Sequence, residues 1–115
     1  MFRFEELEIW QRSCEVGIEL CDVADSLDKK RLLRFAEQLR SAALSISNNI
    51  AEGSGSDSKA EFKSFLNYSR RSAFECANMI LIFCKKGYLS ADDRDKSLNE
   101  LDQICRMIYA FRKSL

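Results

Sequence analysis

Proline and histidine are both absent from this chain of 115 residues, and glycine occurs only four times. With so few residues that break helices, the sequence predicts long helices. Without histidine, neither a Ser-His-Asp nor a Cys-His catalytic arrangement can form, and the Glu-x-x-His motifs of di-iron bundles are missing too. The sequence therefore predicts a protein that is not an enzyme and that uses no cofactor and no metal.

Long apolar runs are also missing. The longest run, around Met79 to Cys84, is far too short to span a bilayer, and residues 1–6 do not resemble a secretory signal. We therefore expect a cytoplasmic protein with no membrane partner. The five cysteines have no Cys-x-x-Cys spacing, which favours reduced thiols packed as small apolar side chains over a zinc site.

The net charge is zero, but the charge is unevenly distributed. Residues 1–28 hold two basic and eight acidic side chains, whereas residues 29–86 hold eleven basic and five acidic ones. The remaining residues are balanced. The sequence thus predicts an acidic first helix followed by a basic middle.

Apolar residues at alternating steps of three and four predict four helices in a single domain over residues 1–115. The predicted helices run from about Glu6 to Ser26, Asp28 to Glu52, Ser58 to Lys86, and Ser90 onward. Asp28, Ser58 and Ser90 are the expected N-caps, and Gly53 and Gly87 the expected ends of the preceding helices. Short links make neighbouring helices antiparallel, so the predicted fold class is all-α, an antiparallel up-down-up-down four-helix bundle.

The first helix carries two apolar series, whereas one helix in an isolated bundle needs only one. The first series is Leu7, Trp10, Cys14, Gly17, Cys21 and Ala24, and we expect it to face the bundle. The second lies on a different side, and we expect it to cover a second copy of the chain. The predicted oligomer interface is therefore Ile9, Val16, Leu20 and Val23.

The basic residues of the second and third helices are the candidate site for binding a phosphate backbone. The predicted nucleic-acid-binding residues are Lys30, Arg34, Arg40, Lys59, Lys63, Arg70 and Arg71. No aromatic stacking platform is interleaved with them, so we expect recognition of charge and shape, mainly of RNA. Two alternatives stay open: these side chains are an ordinary solvated face, or they meet the acidic first helix of another subunit.

Two polar segments near the end of the second helix are interpreted as structural. The run Gly53-Ser54-Gly55-Ser56 lacks the lysine and the preceding strand of a phosphate loop, so it is predicted to be a flexible link. Asn49 lies beside the core seam, and the expectation for its amide is a structural hydrogen bond near the Gly53 loop.

Several motifs resemble one known family. They are Leu7-Glu8-Ile9-Trp10-Gln11, Gln38-Leu39-Arg40, Ser45-Ile46-Ser47-Asn48-Asn49-Ile50-Ala51-Glu52-Gly53, Glu61-Phe62, Phe65-Leu66 and Gly87-Tyr88-Leu89. In this order they resemble the bacterial four-helix bundle proteins encoded in intervening sequences of large-subunit ribosomal RNA genes. The resemblance implies a homopentameric ring with no established enzyme activity.

That family is related to the accessory variability proteins of diversity-generating retroelements, which are basic pentameric barrels that bind nucleic acid and a reverse transcriptase. Two hypotheses follow from the residues and the resemblance together. The first is a non-enzymatic homo-oligomeric scaffold with modest, charge-driven binding of RNA or DNA. The alternative is a protein-interaction adaptor, such as an accessory subunit of a retroelement reverse transcriptase.

Overall fold

Four long helices make up almost the whole chain, and the computed structural model describes all residues from 1 to 115. After a short 3-10 helix over Arg3–Glu6, they are α1 (Glu8–Lys29), α2 (Leu33–Ser54), α3 (Lys59–Lys85) and α4 (Ala91–Ser114). Each helix packs against the next, and α4 also packs against α1, which closes a bundle of 44 × 22 × 20 Å. The predicted all-α bundle is confirmed, and its links of three to five residues leave room only for antiparallel neighbours.

Serine hydroxyls cap two of the helices, as predicted. Ser58 Oγ accepts a hydrogen bond from the Glu61 N–H at the start of α3, and Ser90 Oγ accepts one at the start of α4. The predicted cap Asp28 is wrong, because α1 continues through that residue and α2 begins only after Leu32. The Asp28 carboxylate pairs with Arg40 of α2, so it joins two helices and does not cap one.

Gly53 lies inside α2 and does not end it. The helix continues to Ser54, and Gly55 follows with a φ of −81°, which any residue adopts. A Cβ atom on Gly53 would stand 2.5 Å from the Cβ atom of Phe65 on α3. The prediction of a helix end and a flexible link from residue 53 is therefore wrong, because this glycine serves a close approach of two helices.

The core is built from aliphatic side chains of all four helices. Its largest fully buried members are Leu20, Leu27, Leu39, Ile46, Ile50, Leu66, Ile80, Leu101, Ile104 and Ile108. Eight of these ten residues lie in α2, α3 and α4, whose apolar residues recur at steps of three and four.

The predicted oligomer interface on α1 is wrong for three of its four residues. Ile9, Val16 and Leu20 are 4%, 1% and 1% exposed within their own chain, and Val23 packs partly buried against the same core. These branched side chains fill the centre of the bundle, so they are not free to cover a second copy. The apolar surface of α1 that the bundle leaves uncovered belongs to the series that was expected to face the bundle. In that series Cys14 and Cys21 are partly exposed, beside the exposed Ile18.

Candidate nucleic-acid interface

Six basic side chains meet at one end of the bundle, where α1 turns into α2 and where α3 ends. They are Lys29, Lys30, Arg31, Arg34, Lys85 and Lys86, and all six are exposed. We call this surface the basic end. The antiparallel topology brings its two segments together, and the rings of Phe35 on α2 and Phe83 on α3, with centroids 5.5 Å apart, join the helices there.

No side chain of the basic end has an acidic partner. The ion pairs of the chain all involve four other arginines, namely Arg12, Arg40, Arg94 and Arg106. Six exposed like charges at one end of the bundle create a local positive potential. Such a surface gains free energy when a polyanion approaches it.

The turn between α1 and α2 holds Arg31 in a left-handed backbone conformation, with a φ of 66°. The Leu32 N–H donates to the Leu27 carbonyl at 3.0 Å, and the Arg31 N–H donates to the Asp28 carbonyl at 2.9 Å. This is the hydrogen-bond pattern of a Schellman motif. Glycine is the usual residue at the left-handed position, because an L-residue there costs about 1–2 kcal/mol.

The turn after α3 repeats this pattern with a glycine. The Tyr88 N–H donates to the Phe83 carbonyl at 2.9 Å, the Gly87 N–H donates to the Cys84 carbonyl at 3.0 Å, and Gly87 has a φ of 78°. Two equivalent turns at one end of the bundle thus differ in the residue at the strained position. Strain of this kind often accompanies a functional surface, which makes the exposed guanidinium of Arg31 a functional candidate.

Exposed apolar side chains lie among the cations of the basic end. Leu33, Phe35 and Ile82 are all exposed, and the Phe35 ring lies 6.2 Å from that of Tyr88. Phe35 directly follows Arg34 in the sequence, so an aromatic ring does lie among the basic residues, contrary to the expectation from the sequence. An exposed ring beside cations can stack on an unpaired base.

The opposite edge of the same end is acidic. Glu19 and Asp22 of α1 and Asp93 of α4 line a cleft of about 270 Å³ together with Lys96. This end of the bundle is therefore polarised, with positive charge on the α2–α3 edge and mostly negative charge on the α1–α4 edge.

The seven predicted nucleic-acid-binding residues do not form one surface. Lys30 and Arg34 lie at the basic end, whereas Lys59 and Lys63 lie in the first turns of α3, at the other end of a bundle 44 Å long. Arg40 is already neutralised by Asp28, Asp25 and Glu37, and its hydrogen bonds with the first two raise the pKa of its guanidinium further. Arg40 is therefore a poor candidate for phosphate binding.

Arg70 and Arg71 face two different grooves, since consecutive residues of a helix point about 100° apart. Arg70 lines an apolar groove between α3 and α4. Arg71 lines a polar cleft between α2 and α3, beside Tyr68 and Glu75.

The floor of this polar cleft is a short hydrogen-bond network. The Asn49 amide donates to the carbonyl and the hydroxyl of Ser45, at 2.8 and 2.9 Å, and the hydroxyls of Ser45 and Ser72 lie 2.8 Å apart. Asn49 thus makes the structural hydrogen bond expected of it, although its partner lies one turn earlier on α2 and not in the Gly53 segment.

Comparison with known proteins places the chain in a family. The family model described as 23S rRNA-intervening sequence protein matches residues 5–110. The chain belongs to the 23S rRNA-intervening sequence protein family. The resemblance noted from the motifs of α1 to α3 is therefore confirmed, and the family match also covers most of α4.

A solved relative has the same fold as this family member. It is a protein of unknown function from the S23 ribosomal protein family of Bacteroides thetaiotaomicron, with a TM-score of 0.87 and 19% sequence identity. The alignment covers 91% of this chain and 98% of the relative, so the likeness concerns the whole bundle. No curated protein is similar enough to count as a match.

Neither the family description nor that of the solved relative is the description of an enzyme family. None of the four helices has the length and apolar character that crossing a membrane requires.

Proposed function

We propose that this family member is a non-enzymatic helical scaffold that binds RNA through its basic end. The observation that carries the proposal is the cluster of six exposed, unpaired cations, which includes an arginine in a backbone position that favours glycine. The description of the family, which refers to ribosomal RNA, supports RNA as the polyanion.

The binding is driven by charge and shape. Cations that each neutralise a phosphate release counter-ions from the nucleic acid, and this release supplies most of the affinity of non-specific complexes. The net charge of the chain is zero, so attraction is local to the basic end and the affinity is modest. Phe35 adds a stacking surface that favours unpaired bases, as in RNA loops, over a regular duplex.

The scaffold assembles into a homo-oligomer, which the resemblance implies to be a pentamer. Support comes from exposed apolar side chains away from the basic end, since Ile18 is 65% exposed and Leu44 50%. Ile18 and Leu44 flank an apolar groove of about 280 Å³ between α1 and α2. Contiguous apolar surface of this kind is typical of interfaces, and a second copy is the simplest partner.

Fluorescence anisotropy with a labelled RNA hairpin tests RNA binding. If about six phosphates are contacted, affinity falls by about 10³-fold between 50 and 200 mM salt. The variant Lys30→Gln/Arg34→Gln/Lys85→Gln removes three charges from the basic end. We expect it to weaken binding strongly and to reduce the slope of the logarithm of the binding constant against the logarithm of salt concentration by two to three units.

A matched control removes the same charge from the other end. The variant Lys59→Gln/Lys63→Gln/Lys113→Gln is expected to keep most of the affinity. Equal losses in both variants would contradict the placement of the site at the basic end. Absence of binding at 50 mM salt would overturn the proposal.

A second candidate is a protein-interaction adaptor, such as an accessory subunit of a reverse transcriptase. The exposed apolar side chains favour it, because they suit a protein surface better than a phosphate backbone. Light scattering separates the self-association from this role: a homopentamer has five times the chain mass of 13.3 kDa. The adaptor role would be favoured if the chain is monomeric and does not bind RNA but is retained by an immobilised reverse transcriptase.

A further inference from the structure

An apolar groove of about 330 Å³ runs between α3 and α4, away from the basic end. Ala73, Leu101 and Cys105 form its buried floor, and Phe74 and Leu98 form part of its walls. Its volume lies at the lower end of the range of small-molecule sites, and its lining is mostly apolar with few polar groups, as such sites require.

Arg70 provides the charge of this groove. Its guanidinium lies over the ring of Phe74, 5.1 Å from the centroid, and over that of Tyr109, at 5.3 Å. Stacking on both rings restricts the orientation of the guanidinium plane. A planar cation held in one orientation is suited to bind a carboxylate, to which it donates two parallel hydrogen bonds.

Arg70 is also the one arginine of the groove without an acidic partner. Its Nε atom is enclosed and has no hydrogen-bond acceptor, and the side chain forms no ion pair. Across the groove, Arg106 Nε donates to Asp102 at 3.0 Å, so those two charges neutralise each other. A buried donor without an acceptor is costly, and nothing within the chain compensates the charge of Arg70.

We propose that the α3–α4 groove binds a small organic carboxylate with an apolar body, and that Arg70 is its anchor. The carboxylate pairs with the guanidinium while the apolar body lies on Ala73, Leu101 and Phe74. A monoanion fits the single uncompensated charge of the groove, whereas a dianion would place excess negative charge beside Asp102. Cys105 contributes apolar surface only, since burial raises the pKa of its thiol and keeps it neutral.

Isothermal titration with 2-naphthoate and with its neutral analogue 2-naphthamide tests the proposal. We expect 2-naphthoate to bind with a Kd of about 1 mM or tighter, and 2-naphthamide to bind at least about tenfold more weakly. Arg70→Gln is expected to weaken 2-naphthoate about tenfold and to leave 2-naphthamide unchanged. The matched control is Arg71→Gln, which removes the same charge from the next residue but from a different cleft.

A second variant locates the ligand without removing the charge. Ala77→Leu adds apolar bulk to the groove and is expected to weaken both probes. Equal affinities for the two probes, or an unchanged Kd for 2-naphthoate in Arg70→Gln, would overturn the proposal. So would an affinity that falls as protein concentration rises, because another copy of the chain would then be the occupant. Thermal melting of each variant separates loss of binding from loss of folding.

Discussion

Gly53 of α2 packs so closely against Phe65 of α3 that no side chain fits between them. A Cβ atom on Gly53 would be 2.5 Å from the Phe65 Cβ and 3.0 Å from a ring carbon of Phe62. The Phe65 Cβ is attached directly to the backbone, so no rotamer change can relieve the clash. This glycine therefore determines how tightly α2 and α3 pack at the end of the bundle that lies opposite the basic end.

We predict opposite effects for alanine at two glycines of the bundle. Gly53→Ala forces α2 and α3 apart and should lower the free energy of unfolding by about 1–3 kcal/mol. Gly17→Ala should raise it by about 0.5–1 kcal/mol, because its nearest neighbour would be the Ala43 carbonyl oxygen at an ordinary 3.6 Å and alanine favours a helix. Urea denaturation measures both, and a stabilised Gly53→Ala would contradict the close approach.

Arg31→Gly is expected to stabilise the fold while it weakens RNA binding. Glycine removes the strain of the left-handed backbone, but its greater freedom in the unfolded chain offsets part of the gain. The free energy of unfolding should therefore rise by about 0.5–1 kcal/mol. The same change removes one cation from the basic end, which should lower the salt-dependence slope by about one unit. The mirror variant Gly87→Ala should be destabilising, and identical effects of the two changes would argue against the strain.

Ser69→Ala tests a buried hydrogen bond between α3 and α2. The Ser69 hydroxyl is fully buried and donates to the Ile46 carbonyl at 2.6 Å. Its loss should lower the free energy of unfolding by about 1 kcal/mol. Ser64→Ala is the matched control, since its hydroxyl is exposed and bonds within its own helix, and it should change stability by less than about 0.5 kcal/mol.

Stability should fall above pH 9 because of Cys76. Burial raises the pKa of this thiol from 9.0 to about 12, so between these values the unfolded chain loses a proton that the folded chain keeps. The contribution is fully present below pH 9 and decreases as pH rises toward 12. Between pH 8 and 10 the loss is about 1 kcal/mol.

Denaturant titrations at several pH values isolate this contribution. Cys76→Ala should show a shallower decline above pH 9 than the parent chain, whatever its stability at pH 7. Cys84→Ala, which removes a thiol nearer the surface, should keep the parental decline. A decline that is the same in all three proteins would assign the effect to other groups.

Helix content and the inner faces of α2 to α4 were predictable because each of these helices carries a single apolar stripe. Ser58 and Ser90 also fixed two helix starts through local hydrogen bonds. α1 was harder, since its two apolar series are equally regular and periodicity alone does not tell which one the other helices cover. The structure buries the series with the larger branched side chains, Val16 and Leu20 among them.

The candidate interface was only partly predictable for a related reason. Lys30 and Arg34 are neighbours in sequence, and a local cluster is visible there without a structure. Lys85 and Lys86 join them only through the antiparallel pairing of α2 and α3. Arg40 pairs with Asp28, and α1 continues past that residue. The sequence around Asp28 resembles a helix N-cap, so this continuation of α1 was not predicted.

In the proposed complex, the location of the basic end would set the length of RNA that one chain covers. The cations lie at the tip of a bundle that is 44 Å long but only 22 × 20 Å in cross-section. Bound through this end, the bundle would cover about half of the length of nucleic acid that it would cover if it bound along its long side. If the basic end binds RNA as proposed, several copies could therefore bind side by side on a short stretch of it, each with its long axis pointing away from the RNA.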